Sequence, residues 1–283
     1  MYRIQNFNQL LEHLKNQKLK RRVAVVCPRD QSTQEALKRA EEDGFIEPLM
    51  VDDDDLPTAA RKAIRLVREG KADFLMKGLI NSDILLHAIL DREEGLLQPG
   101  HVLTQMACSS IPEYHKFLFY TDTAVIPYPT QQQRIEQVRY MASLCRAFGI
   151  AEPRISLIHC SEKVDERHFP FTAGYADIIR MAKEGEFGKC IVDGPLDLKT
   201  SCSPSSLKVK GISSPLDGDA DALIFPDIEA GNLFYKAITF FAHAEIASIL
   251  QGTMVPVVIP SRADSPETKY YSLALAAILT SNS

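Results

Sequence analysis

Ser261-Arg262-Ala263-Asp264 follows an apolar run, Val255-Pro256-Val257-Val258-Ile259-Pro260, and precedes Ser265-Pro266-Glu267. The run reads as a short buried strand. Ser265, Pro266 and Glu267 read as a helix start: capping residue, proline at the first helical position, acid in the first turn. The spacing therefore puts a hydroxyl, a guanidinium and a carboxylate between a strand's carboxyl end and a helix's positive end. Open α/β sheets hold ligands in that crevice, and such a helix end attracts anions. Ser261, Arg262 and Asp264 together point to phosphate handling coupled to a proton transfer.

Other blocks have the same strand-to-helix character. In Lys77-Gly78-Leu79-Ile80-Asn81-Ser82-Asp83 a lysine closes a strand and a glycine permits a sharp turn or a close approach to a ligand. Asn81 or Ser82 caps the next helix there. A plain connecting loop with a surface lysine explains the motif equally well. Pro226-Asp227-Ile228-Glu229-Ala230-Gly231-Asn232 also follows a strand. Asp227 and Glu229 could orient a cationic or hydroxyl group, and Asn232 could bond a carbonyl or phosphate; simple capping by Asp227 or Asn232 is the alternative. Asp193-Gly194-Pro195-Leu196-Asp197 reads as a strand-to-loop turn, and turn chemistry accounts for it. Asp122 has the same character, and His159, on an apolar strand, reads as a satisfied core histidine.

The elements that must position these residues alternate. Strands are predicted at 22–27, 47–51, 73–77 and 117–120, with helices at 31–43, 58–69 and 83–90. This is the signature of a parallel sheet covered by helices. Ile126-Pro127-Tyr128-Pro129-Thr130 marks the best boundary, before a long helix at 131–148. A second α/β series follows: strands at 155–160, 190–192 and 222–225, a helix near 172–184, and a helix from about Asn232. Residues 1–126 plus 261–283 are thus assigned to one domain and 127–260 to another.

Composition is that of an ordinary soluble globular chain, with 45% hydrophobic and 24% charged residues. A net charge of -5 argues against a general nucleic-acid surface, which needs a basic stripe. The six cysteines form no C-x-x-C pair and read as free thiols. The N-terminal segment lacks a signal-peptide core and no stretch is apolar enough to span a bilayer, so a cytoplasmic protein is expected. No G-x-G-x-x-G, Walker loop, H-E-x-x-H or EF-hand pattern is present. The run Asp52–Asp55 reads as a solvated loop, because four consecutive side chains cannot converge on one ion.

Taken in order, these blocks resemble the phosphate acetyl/butyryltransferase family, most closely its phosphate butyryltransferase branch. The resemblance rests on Ala72-Asp73-Phe74-Leu75-Met76-Lys77-Gly78, Leu118-Phe119-Tyr120-Thr121-Asp122, Val192-Asp193-Gly194-Pro195-Leu196, residues 219–236, and Pro260-Ser261-Arg262-Ala263-Asp264-Ser265. It implies a two-domain α/β/α architecture similar to isopropylmalate and isocitrate dehydrogenases, with the active site in the interdomain cleft. It also implies reversible acyl transfer between coenzyme A and orthophosphate without metal or prosthetic group, and a homodimer or larger homo-oligomer. Ser261 and Arg262 map onto the family's Ser-Arg pair; Asp264 is the nearest general-base candidate and Glu267 the reserve. Lys77, Asn81, Asp193, Asp227, Glu229 and Asn232 are the candidate phosphate or coenzyme A contacts. Two departures stand out. The acetyl branch has Ser-Arg-Gly where this chain has Ser261-Arg262-Ala263, and after Leu196 the chain reads Asp197-Leu198-Lys199 where the butyryl branch continues toward Asp-Asn-Ala. Chain-length preference therefore stays open between butyryl and acetyl. A non-catalytic acyl-CoA or phosphate-binding regulator is the rival in another class.

Overall fold

Helix caps and apolar periodicity set the elements one by one. A computed structural model of the chain describes residues 2–261 and 264–280. The first helix, α1 (Phe7–Gln17), begins where the Asn6 side chain accepts the Gln9 N–H at 3.0 Å, a standard N-cap. It is followed by β1 (Arg21–Val26), α2 (Gln31–Glu42), β2 (Ile46–Val51), α3 (Leu56–Arg68), β3 (Phe74–Lys77) and α4 (Ser82–Ile89). Residues 104–244 contribute β4 (Thr104–Ser110), β5 (Leu118–Thr121), α5 (Gln131–Ala147) and β6 (Arg154–Ile158). A 3-10 turn at Pro170–Gly174 leads into α6 (Tyr175–Lys183), then β7 (Ile191–Leu196), α7 (Leu198–Cys202), α8 (Pro204–Lys210), β8 (Ala222–Ile224) and α9 (Ile228–Phe241). The chain continues through β9 (Glu245–Gln251), β10 (Val257–Val258) and α10 (Pro266–Leu279).

These elements form two units. The terminal unit comprises residues 6–103 and 245–283, and the middle unit residues 1–5 and 104–244. The division thus falls at 5/6, 103/104 and 244/245, whereas the sequence places it at 126/127 and 260/261. Strand pairing is the reason. β5 pairs in parallel with β8, Phe119 opposite Ala222, so residues 104–126 go with the middle unit. β9 pairs with β10, and β10 with β3, so residues 245–260 go with the terminal one.

In the terminal unit the strand order is β2-β1-β3-β10-β9, parallel except for β9 against β10. Val23–Val26 of β1 and all of β3 are buried, as expected of a parallel sheet covered on both faces. Small residues, Ala36 and Ala40 of α2 and Ala59, Ala60 and Ala63 of α3, allow the helices to approach that sheet closely. Helix α10 is buried over Lys269–Ile278. Its Tyr271 ring stacks on Phe7 of α1 at 4.0 Å between centroids.

The middle unit carries the order β4-β5-β8-β6-β7, with β4 antiparallel to β5 and the rest parallel. Phe117, Phe119 and Phe148 meet edge-on at its core. The buried Asp221 carboxylate holds Arg3, Lys116 and the Arg154 N–H at 2.6–2.9 Å.

Candidate active site

Parallel register brings three strand ends of the terminal unit level with one another. Val26 lies opposite Lys77, and Val258 opposite Met76, so the residues after β1, β3 and β10 emerge side by side. They line a cavity of about 140 Å³ bounded by Asp30, Gln31 and Ser32 after β1, Lys77, Gly78 and Leu79 after β3, Pro260 and Ser261 after β10, and Lys269 of α10. A cavity of this size suits a small tetrahedral anion better than a nucleotide. The sequence-predicted Lys77 and Ser261 thus share one cavity.

Two lysines make the cavity cationic. Lys77 and Lys269 are each only 3% exposed. Lys269 Nζ donates to Asp30 Oδ1 at 2.8 Å, Ser32 Oγ at 2.6 Å and Thr33 Oγ1 at 3.0 Å. Asp30 also caps α2 by accepting the Thr33 N–H at 2.9 Å. Burial pushes the Asp30 carboxyl up, but the bonds from Lys269, Thr33 and Ser32 outweigh it and hold the group well below the usual carboxylate range. Gly78 is required by packing: a Cβ there would collide with the Cys27 and Val26 carbonyl oxygens. Any side chain at 78 would push the Lys77 turn away from β1.

The Ser261 turn is closed on itself. Its N–H donates to Asp264 Oδ2 at 2.7 Å, and the Asp264 N–H donates to the Ser261 carbonyl at 3.1 Å. Ser265 then caps α10, accepting the Thr268 N–H at 3.1 Å, with Pro266 and Glu267 in the first turn. Arg262, assigned to phosphate from the sequence, lies outside the described residues. Glu267 accepts from Tyr271 Oη at 3.2 Å and sits 3.5 Å from Arg39. Asn81 occupies the N-cap position of α4 without a side-chain capping bond and is exposed, outside the lining of the cavity.

The remaining candidates lie in the middle unit and do not form one cluster. Asp227 caps α9, accepting the Ala230 N–H at 2.8 Å. Asn232 Nδ2 donates to the Thr123 carbonyl at 3.0 Å, and Glu229 is exposed on the first turn. Gly231 presses against the Asp122 carbonyl so closely that a Cβ would collide with it. Asp122 itself is buried: Oδ1 accepts the Ala124 and Val125 N–H groups, and Oδ2 accepts Thr104 Oγ1 and the Gln105 and Ile126 N–H groups. It builds the loop on which α9 rests. Asp193 is not at a turn. The strand β7 continues through Pro195 to Leu196, with a register irregularity between Ser156 and Ile158 of β6. Asp193 Oδ2 accepts Ser214 Oγ at 2.6 Å.

The sequence reading missed Lys269 and the Asp30–Ser32 loop. A signal existed for both: Asp30-Gln31-Ser32-Thr33 has a capping pattern, and Lys269 is the lone cation in an otherwise apolar stretch of α10. His159 is buried between the Phe169 and Phe171 rings, and burial lowers its pKa, as a core histidine should show. No two of the six cysteines form a disulfide, and Cys27, Cys108 and Cys145 are buried.

Comparison with known proteins decides the family. The model of the phosphate acetyl/butaryl transferase family matches residues 33–277. The chain belongs to the phosphate acetyl/butaryl transferase family. It is 33% identical to a phosphate butyryltransferase of Clostridium acetobutylicum over 302 aligned positions, covering 99% of each chain. It is 39% identical to a phosphate acetyltransferase of Thermotoga maritima, covering 78% of this chain and 74% of that one. Among solved structures, a branched-chain phosphotransacylase from Enterococcus faecalis V583 superposes with a TM-score of 0.82 at 28% identity, covering 92% of this chain and 98% of that chain. Among the described residues no helix is long and apolar enough to cross a membrane.

Proposed function

We propose that this family member moves a short-chain acyl group reversibly between coenzyme A and orthophosphate, acyl-CoA plus phosphate giving acyl phosphate plus coenzyme A. Butyryl is the favoured acyl group, because the likeness to a phosphate butyryltransferase runs the full length of both chains; acetyl is the alternative. The observation that carries the reading is the small cavity shared by Lys77 and Ser261 at the ends of β3 and β10. Phosphate fits it in size and charge. The Lys77 ammonium and the Arg262 guanidinium neutralise and orient the anion, Arg262 by a bidentate grip. Their charges serve where a metal would otherwise be needed.

One phosphate oxygen forms a bond to the thioester carbonyl carbon, giving a tetrahedral oxyanion. That intermediate collapses with breakage of the carbon–sulfur bond, and the thiolate leaves. Ser261 Oγ donates to the oxyanion or the sulfur, a contact typically worth ~2.7–4 kcal/mol. In reverse, Asp264 takes the thiol proton before sulfur attacks the acyl phosphate. The hydrogen bond between the Ser261 N–H and Asp264 keeps that carboxylate beside the serine. Asn81, exposed at the N-cap of α4, serves as a coenzyme A contact. Asp193, Asp227 and Asn232 act through the loops they brace.

The test is phosphate-dependent thiol release. Purified protein is mixed with butyryl-CoA, with and without phosphate, and thiol is followed with a chromogenic disulfide. The exposed Cys160 gives a fixed background to subtract. Release is expected only with phosphate, to persist in EDTA, and to drop by more than ~100-fold in Arg262→Ala. Tight acyl-CoA binding without release would favour a regulator over an enzyme. Acetyl-, butyryl- and isobutyryl-CoA run side by side rank the substrates.

A further inference from the structure

The substituents of a tetrahedral carbon formed between phosphate and a thioester need different surroundings. Phosphate oxygen, oxyanion and sulfur are polar and call for cations and hydrogen bonds. The alkyl chain calls for an apolar surface, and it starts only a few bonds from phosphorus. An apolar side chain on the lining of the phosphate cavity is therefore within its reach. That lining is polar apart from Gly78, the buried Pro260 and Leu79. Among the described residues Leu79, 44% exposed, is thus the one large apolar side chain there with free surface. A single leucine in water is ordinary on any protein, but this one is held in place. The Gly78 N–H donates to the Val26 carbonyl at 2.8 Å, the Leu79 N–H to the Cys27 carbonyl at 2.7 Å, and the Ile80 N–H to the Gly78 carbonyl at 3.0 Å. Ile80 is 1% exposed and anchors the far side of the turn. The turn that sets Lys77 therefore also fixes an uncovered apolar group two residues on.

We propose that the alkyl chain of the acyl group lies against Leu79 and that this side chain sets the preference for butyryl over acetyl. The assignment rests on the acyl-transfer reading and names the residue that measures chain length within it. Leu79 touches none of the reacting atoms; its part is to take the methylenes of the chain out of water. Acetyl has no methylene and gains least from the contact. Propionyl and butyryl each add one more methylene to it, and full burial of a methylene is worth about 4-fold in affinity. A pocket closed on all sides discriminates by about 10–200-fold per methylene, so one half-exposed leucine belongs below that range. The contact is the same in the bound thioester and in the transition state. Its effect therefore falls on KM and leaves kcat nearly level.

The experiment measures kcat and KM for acetyl-, propionyl- and butyryl-CoA at saturating phosphate. In the natural protein kcat/KM should climb about 3- to 4-fold with each methylene, carried by KM. In Leu79→Ala the climb should drop below about 2-fold per methylene, because the surface that covers the chain is gone. Leu79→Met restores an apolar side chain of similar volume and should restore the climb. Leu79→Gln is of similar length but polar and should not; it also gives the answer if Leu79→Ala fails to fold. Leu90→Ala is the control: that leucine is 45% exposed at the opposite end of α4 and lies off the cavity lining, so the climb should be unchanged. A climb that survives both Leu79→Ala and Leu79→Gln, or one lost equally in Leu90→Ala, overturns the proposal. So does a natural protein that releases thiol from acetyl-CoA with a kcat/KM equal to or above that for butyryl-CoA. Absence of phosphate-dependent release from all three thioesters is a different failure, because it removes the acyl-transfer reading and this assignment with it.

Discussion

Lys269 shows how a single side chain can organise a loop from far away in sequence. Its ammonium ties Asp30, Ser32 and Thr33 together, fixing the start of α2 where it lines the cavity. Lys269→Met keeps the length of the side chain and removes the charge. It leaves Asp30 partly buried without its cation, which should cost roughly 2–4 kcal/mol of stability and raise the KM for phosphate more than it lowers kcat. Urea denaturation and steady-state kinetics read the two effects; a loss under ~0.5 kcal/mol with unchanged KM would contradict them. A lone lysine in an apolar stretch of α10 hints that it is buried, but nothing local names its partner. Only the fold brings residue 30 to residue 269. Lys77 and Ser261 were legible because each closes an apolar run. Asp193 was misread because Gly194 and Pro195 look like a turn, whereas pairing with β6 carries the strand through them.

At the scale of elements, helix α9 depends on Gly231. Alanine would raise helix propensity there by about 1 kcal/mol. Its Cβ, however, would collide with the Asp122 carbonyl, a backbone atom held by the Asp122 network. The clash should win, because that loop has little room to yield. Gly231→Ala is expected to lower stability by about 1–3 kcal/mol and depress the melting temperature; a higher melting temperature would show that the loop gives way. Elements with a clear period were readable within a few residues. Strand β4 (Thr104–Ser110) was not, since Thr104, Cys108, Ser109 and Ser110 present no alternation of apolar and polar side chains. Strand β9 (Glu245–Gln251) was hidden because Glu-Ile-Ala-Ser-Ile-Leu-Gln suits a helix as well as a strand. The start of α9 lies four residues before the predicted Asn232, at the cap Asp227 provides.

For the molecule as a whole, ion-paired aspartates set the response to acid. Asp30, Asp43, Asp73 and Asp197 are all partly buried. In each, burial raises the pKa but a hydrogen-bonded cation outweighs it: Lys269, Lys15, Arg22 and Lys210 respectively. The Asp197 value falls to about 2. With folded values depressed, the unfolded chain binds more protons, so this stabilisation is complete above the ordinary carboxylate range near ~3.9 and is lost as pH falls through the folded values. The urea midpoint should stay nearly level from about pH 7 to 5 and fall steeply between about pH 4 and 2; a midpoint that rises on acidification would contradict the pairing. Two α/β series were legible at this scale, but their division was not, because two prolines are a weaker signal than long-range strand pairing. That pairing has a consequence during synthesis. Strand β10 sits between β3 and β9, so a nascent polypeptide that has not reached Glu245 already holds every residue of the middle unit while β3 still lacks its neighbour. Until β10 leaves the ribosome, an edge flanked by Phe74, Leu75 and Met76 stays open to stray pairing.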